Sequence, residues 1–309
     1  MTCHNCKAKC QKFGKDRKGN QRFRCCQCYK TYSERPEKLE GTYLPSEKIT
    51  QIIRLFVEGC SVRSIERITG THRDTILKVL VLAGERCERL LENLIQNVPV
   101  RDVELDEIWG YVFCKEKRNT TGDPLKGDGY CFVAIERNTK LILAWHLGRR
   151  AARDTEEFVE KVNQATAGHF QVTSDAFPGY FHSVHMSLGT RVDYSQLIKL
   201  YGAANDDEHR YSPPRVIDAI AKPMWGNPDP KRICTSHVER QNLTLRMCMR
   251  RMTRLTNAFS KSWYNLKCAF ALQFAYYNLC RVHQSLRVTP AMESGITDSV
   301  WPVEKLLFG

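Results

Sequence analysis

Val103-Glu104-Leu105-Asp106-Glu107-Ile108-Trp109 is the stretch on which the fold turns. Residues 102–113 alternate enough to form a β-strand. The strand carries Asp106 among its hydrophobes, and a charge there is costly unless it is paired or holds a metal. Downstream, 130–135 is a short apolar run and 141–147 is another, with Arg137-Asn138-Thr139-Lys140 as the turn of a hairpin. Asp154-Thr155-Glu156-Glu157 is expected to cap a helix that turns Phe158, Val162 and Ala165 inward. Residues 170–173 form a strand ending at Ser174-Asp175. Residues 203–236 are polar and Pro-rich and are expected to be a long loop or insertion, followed by helices over 236–254 and 263–280. Strands alternating with helices predict an α/β domain over 99–309, with a mixed sheet and flanking helices.

Pro99 marks the boundary of this region. Over 45–97, Ile49, Ile52, Ile53, Phe56 and Val57 recur at helical spacing. Gly59 ends that helix, Ser61 opens a short second one and Gly70 breaks it. Thr71-His72-Arg73-Asp74 has the form of a capping box and starts a third, and a further helix is expected near 85–95. Helix, short helix, Gly-containing turn and helix make a helix-turn-helix plan. Its second helix would present His72, Arg73, Thr75 and Lys78 to a DNA major groove.

Residues 1–38 hold eleven Lys/Arg against three Asp/Glu, while the whole chain has a formal net charge of +13. A basic arm of this kind meets a polyanion. The arm also carries Cys3-x2-Cys6 and Cys25-x2-Cys28, with 18 residues between the pairs. Two such turns complete the closed, tetrahedral four-sulfur shell of a structural Zn²⁺. Cys10 and Cys26 leave the ligand set open, because Cys25 and Cys26 are neighbours and either could point inward. No run of 18 apolar residues exists, which excludes a transmembrane helix. The start of the chain has no apolar signal core, so a cytoplasmic protein is expected.

Three acids stand out: Asp106 in the first strand, Asp175 at the end of the 170–174 strand, and Glu239 in the first turn of a helix. Hard Mg²⁺ or Mn²⁺ prefers such oxygen ligands. Two ions about 4 Å apart can activate a nucleophile and stabilise the leaving oxygen at a phosphodiester. Asn242 and Arg246 fall on the helix face of Glu239, and Arg250 continues a flank rich in cations. An acid set on a basic helix suits a metal site that also holds phosphates. Glu104, Glu107 and Asp193 are expected to matter much less.

At these residues the chain resembles DDE transposases with a ribonuclease H-like core, nearest in character to bacterial insertion-sequence-one transposases. The resemblance rests on Leu105-Asp106-Glu107-Ile108-Trp109, on Ser174-Asp175, on His237-Val238-Glu239-Arg240-Gln241-Asn242-Leu243, and on the 250–260 stretch beginning Arg250-Arg251-Met252. The tail with Tyr276-Tyr277-Asn278, His283, Leu286 and Thr289-Pro290-Ala291 continues it. The family implies Asp106, Asp175 and Glu239 as the metal-binding triad and Arg246 as the basic residue seven positions after the glutamate. It further implies a homo-oligomer on double-stranded DNA, with terminal inverted repeats and target as partners, in a prokaryotic cytoplasm beside the nucleoid. Neither a small-molecule substrate nor a membrane is expected as a partner. The polar insert at 203–236 departs from typical members. Two other readings share these features: a DNA-binding regulator with an inactive core, and a structure-specific nuclease without strand transfer.

Overall fold

The chain is described from a computed structural model, which covers residues 2–3, 5–17, 21–33, 39, 41–202 and 216–309. The N-terminal part is a small antiparallel sheet of β1 (Cys10–Lys15), β2 (Gln21–Cys25) and β3 (Thr31–Ser33), in that order. Its buried cluster consists of Cys3, Cys10 and Cys25 rather than large hydrophobes. Apolar burial therefore contributes little to holding this unit together.

Three helices follow, α1 (Ser46–Val57), α2 (Val62–Thr69) and α3 (Arg73–Leu94). The Ser61 hydroxyl caps α2 by accepting from Ser64 N, and Gly70 ends it in the left-handed region at φ 65°. The expected capping box is replaced by a single residue: His72 is the N-cap of α3, and its ring accepts from Asp74 N. The helix expected near 85–95 is the second half of α3, which runs unbroken because nothing between Arg73 and Leu94 interrupts its apolar stripe.

The main sheet has six strands, in the order β11-β10-β9-β5-β6-β7. They are β5 (Asp102–Val112), β6 (Gly127–Glu136), β7 (Ile142–Gly148), β9 (Phe170–Asp175), β10 (Val192–Tyr201) and β11 (Val216–Trp225). β5, β6 and β7 are antiparallel, β5, β9 and β10 are parallel, and β11 returns antiparallel to β10. A two-residue ladder, β4 (Val98–Pro99) with β8 (Thr166–Ala167), lies apart from it. Residues 216–225 correct the expected 203–236 loop: they pair along β10 from Tyr201 to Tyr194, and apart from Asp218, Lys222 and Pro223 this stretch is apolar, unlike the polar, Pro-rich sequence around it. Residues 203–215 lie outside the described part.

Both faces of the sheet are covered, which is why Cys131–Glu136 is buried throughout. On one face Phe132 meets Phe158 of α4 (Ala152–Ala165) and Tyr180 of α5 (Pro178–Ser187). On the other, Trp145 meets Phe270 and Phe274 of α7 (Trp263–Leu279), with α6 (Ser236–Cys248) alongside. The cap of α4 differs from expectation: Ala151 is its N-cap, and Asp154 instead accepts from the ring of His146 on β7. The helix expected over 236–254 ends at Cys248 and gives way to a single 3₁₀ turn, Arg250–Met252. Short helices α8 (Pro290–Glu293) and α9 (Val303–Phe308) close the chain. No helix among the described residues is long and apolar enough to cross a membrane.

One apolar cluster runs without a break from Ile49 and Ile76 through the sheet to Leu306. The three-helix unit is joined to the sheet chiefly by α3 lying on α7. At their crossing a Cβ on Gly84 would stand 2.5 Å from both Cβ and the carbonyl oxygen of Cys268. Alanine there would gain about 1 kcal/mol of helix propensity, but a methyl group against backbone forces the helices apart. Gly84→Ala is expected to lose about 1–3 kcal/mol net, seen as a lower midpoint in thermal unfolding. An unchanged midpoint would mean that the two helices do not approach this closely.

Candidate functional site

The strand register builds the acidic site. β9 pairs with β5 only as far as Leu105 opposite Ser174. Asp175 is the last residue of β9, and β5 continues past it. Along β5, side chains alternate between faces, so Asp106 shares a face with Val133 and α6, while Glu107 shares one with Phe132 and α5. Beyond the end of β9 no neighbouring strand separates the two faces. Ligand oxygens of Asp106, Glu107 and Asp175 therefore come within 4.8 Å of one another.

Each acid is tethered. Asp106 accepts from Glu107 N at 2.9 Å and from the side-chain amide of Asn242 at 2.8 Å. Glu107 accepts from the Tyr180 hydroxyl at 3.0 Å and pairs with the Arg150 guanidinium at 2.7 Å. Asp175 accepts from Phe177 N at 3.0 Å. Burial, then the charges of Glu107 and Asp175, push the Asp106 carboxyl up to about 7. Burial and Asp175 push Glu107 up to about 7 against the pull of Arg150. Burial raises Asp175 as well.

Glu239 stands on α6 facing this edge, close enough for its charge to raise both Asp106 and Asp175. Its carboxylate accepts from the Thr235 hydroxyl and from the ammonium of Lys199 on β10. Lys199 also pulls Asp175 down. The trio whose ligand oxygens come together is thus Asp106, Glu107 and Asp175; Glu239 acts on Asp106 and Asp175 through its charge and is itself held by Lys199 and Thr235.

Glu107 was expected to matter little, and the termination of β9 is the reason it does not stand apart. Glu104 likewise has a task. It is 2% exposed, its oxygens accept from His237 N at 2.9 Å and Val238 N at 3.0 Å, and His237 Nδ1 lies 2.7 Å from it. It caps the N-terminus of α6 and so sets where Glu239 and Asn242 point. Cys234 approaches Glu104 and His237, but its sulfur is engaged by the Ser236 hydroxyl and amide. Asp193 is remote from the acids, holding Asn227 N and His169.

The acid edge fits a divalent cation. Its donors are all oxygens, the set preferred by Mg²⁺ or Mn²⁺. Burial, and after it the charges of neighbouring acids, raise all three carboxyls, and a bound cation would offset both effects. Asn242 Oδ1 is buried, on the residue whose amide holds Asp106, with no hydrogen-bond partner among the described residues, an acceptor for a metal-bound water.

The expected cationic residues divide. Arg246 is half-buried and spent on protein carbonyls, Met252 O at 3.1 Å and Trp109 O at 3.2 Å. It braces α6 against β5 where β9 is missing. Arg250, His72, Arg73 and Lys78 are exposed.

The second candidate metal centre is the cysteine set. Sulfur atoms of Cys3, Cys6, Cys25 and Cys28 lie within 4.8 Å of one another, with Cys3–Cys28 at 3.5 Å and Cys6–Cys25 at 3.4 Å. Tetrahedral Zn–S bonds of about 2.3 Å place sulfurs about 3.8 Å apart, close to these separations. Cys25 is buried and Cys26 exposed, which settles the neighbour left open by the spacing, and Cys10 turns to Ala8 O at 4.0 Å.

No family model and no curated protein matches the sequence. Among solved structures, the piggyBac transposase synaptic complex with hairpin DNA is similar at a TM-score of 0.35 and 10% identity, over 87% of this chain and 72% of that one. A likeness at that score carries no argument.

Two outcomes test the centres. Folded-state carboxyls raised to about 7 bind protons that the unfolded chain has released. Their contribution to metal-free stability therefore falls as pH rises from about 4 to about 7. Asp106→Asn should be more stable than the wild type at pH 8 without divalent ions, and Mg²⁺ should raise the wild-type midpoint more at pH 8 than at pH 5. Equal Mg²⁺ shifts at both pH values would remove the cation site. For the cysteines, about one zinc per chain is expected, and Cys25→Ser should lose it while residues 100–309 stay folded. Retention of full zinc content by the Cys3→Ser, Cys25→Ser double variant would show the ligand assignment to be wrong.

Proposed function

We propose that the chain is a DNA transposase of the DDE type. The observation that carries this reading is the grouping of Asp106, Glu107 and Asp175 at the edge where β9 stops, with Glu239 on α6 turned toward the same edge. Further support comes from the sheet order. An antiparallel trio, β5–β7, is followed by parallel β9 and β10 with helices between, the arrangement a ribonuclease H-like core requires. The exposed N-terminal turn of α3 and the basic cysteine module would bind the double-stranded terminal repeats.

Asp106, Asp175 and Glu239 would hold Mg²⁺ or Mn²⁺, which when bound supplies charge neutralisation at the scissile phosphate and a more acidic nucleophile. The protein's own groups prepare that chemistry. Asn242 fixes the Asp106 carboxylate through its side-chain amide. Glu104 fixes the first turn of α6, and Arg246 fixes the turn that follows. Lys199 offsets negative charge at Glu239. In the first step water adds to the phosphodiester at the repeat end, the P–O3′ bond breaks, and a 3′ hydroxyl and a 5′ phosphate result. In the second, that 3′ hydroxyl attacks a target phosphodiester in line, and the target's own 3′ oxygen leaves. No bond to the protein forms.

Glu239→Gln, Asp106→Asn and Asp175→Asn should each nearly abolish cleavage and strand transfer while repeat binding persists, because residues acting as a unit are non-additive. Mapping of 3′ ends on a repeat-bearing duplex with Mg²⁺ reads this, with Asp193→Asn as the active control. Substantial strand transfer by a folded Glu239→Gln protein sinks the assignment.

A further inference from the structure

A cleft of about 960 Å³ opens between the α1–α3 helices and the segment joining α6 to α7. Among the described residues five cations line it, Arg63, Arg73, Arg250, Arg251 and Lys261, and no Asp or Glu does. Arg251 sits half-buried over the Phe56 ring at 5.8 Å. Burial brings its guanidinium down to about 10, and no carboxylate pairs with it among the described residues. A desolvated cation without an anion is costly, so the cleft is built for negative charge from outside the chain.

A second observation leads to the same place. Trp109 and Tyr111 follow Glu107 on the same face of β5, starting from the acid edge. Their rings lie 5.8 Å apart, and Tyr111 is 4.9 Å from Phe259, which also lines the cleft. All three rings are half-buried, each leaving part of its surface open. Cations accompany them: Lys115 lies over Trp109 at 5.6 Å and Lys261 over Phe259 at 3.7 Å. Aromatic rings spaced along a cationic groove stack unpaired bases while the cations follow the phosphates. A duplex keeps its bases stacked inside and has no use for such rings.

We infer that a single DNA strand lies along this track, from the acid edge over Trp109, Tyr111 and Phe259 into the acid-free cleft. The inference builds on the proposed transposase reading, since it gives the strand entering or leaving the acids a path. The helix-turn-helix then has two roles: Lys78, outside the cleft, faces duplex, and Arg73 closes one wall of the single-strand path.

The test uses the full-length protein without added divalent ion. Its probes are a fluorescein-labelled single-stranded oligonucleotide of about 12 nucleotides and the same sequence as duplex, both read by anisotropy. Phe259→Ala should weaken single-strand binding by about five-fold or more, and Lys261→Glu, on an exposed residue, should do so without risk to the fold. Phe259→Tyr should bind as the wild type does. Duplex binding should change little in all three. Single-strand binding unchanged in both Phe259→Ala and Lys261→Glu overturns the inference, as does an equal loss for duplex and single strand. Glu239→Gln separates the two readings, because it keeps Phe259 and Lys261 and should therefore still bind the single strand while losing strand transfer. If it also retains strand transfer, the catalytic assignment fails while the track stands on anisotropy alone.

Discussion

The carboxylate of Glu104 on the first turn of α6 is the contact from which the acidic site follows. A helix N-terminus has unpaired amides and a partial positive charge, and a buried carboxylate has lone pairs that must be filled. Each satisfies the other: Glu104 takes the amides of His237 and Val238, and the His237 ring fills the remaining oxygen. This joins β5 to α6 at one point and in one rotation. Glu239 lies two residues beyond His237 and Asn242 five, so the rotation chosen at Glu104 decides that both face Asp106. Such a contact at a surface is worth under about 1 kcal/mol, rising to about 2 where partly buried. Its larger effect here is on aim.

The second constraint is repulsion. Asp106, Glu107 and Asp175 share one edge, and Glu239 adds its charge. The chain meets part of this with its own cations, Arg150 on Glu107 and Lys199 on Glu239. Neither reaches Asp106, whose polar contacts are the Asn242 amide and a backbone N–H. The neutralisation is thus distributed toward the rim, and the middle of the site is left for a cation from solution.

Much of this was legible in the sequence, and the failures have physical causes. Cys-x-x-Cys spacing and helical periodicity are local signals, so the cysteine module and the three helices could be read directly. Asp106, Asp175 and Glu239 could be singled out in the sequence only by their joint placement, a charge among strand hydrophobes, an acid at a strand end and an acid on a basic helix, together with the family resemblance. Glu107 was not, because the pleat sends it to the opposite face; only the length of β9, a neighbour 70 residues away, reveals that the faces merge there. The hairpin partner Val216–Trp225 was misread because its mostly apolar residues lie inside a longer stretch, 203–236, that is polar and Pro-rich as a whole. Arg246 was expected to hold phosphate, yet it satisfies two carbonyls, a demand set by the missing strand beside Trp109.

The unbroken α3 has a geometric consequence. Its 22 residues span about 33 Å. One end displays His72 and Lys78, and the other half is seated on α7 through the Gly84 contact, which leaves no room for sliding. α7 in turn lies on the sheet that carries the acids. Among the described residues, α3 and α7 thus join the N-terminal turn of α3 to the sheet that carries the acids without a break. On the proposed reading the protein works as a ruler: the number of base pairs between the recognised sequence and the broken bond is written into the length of one helix.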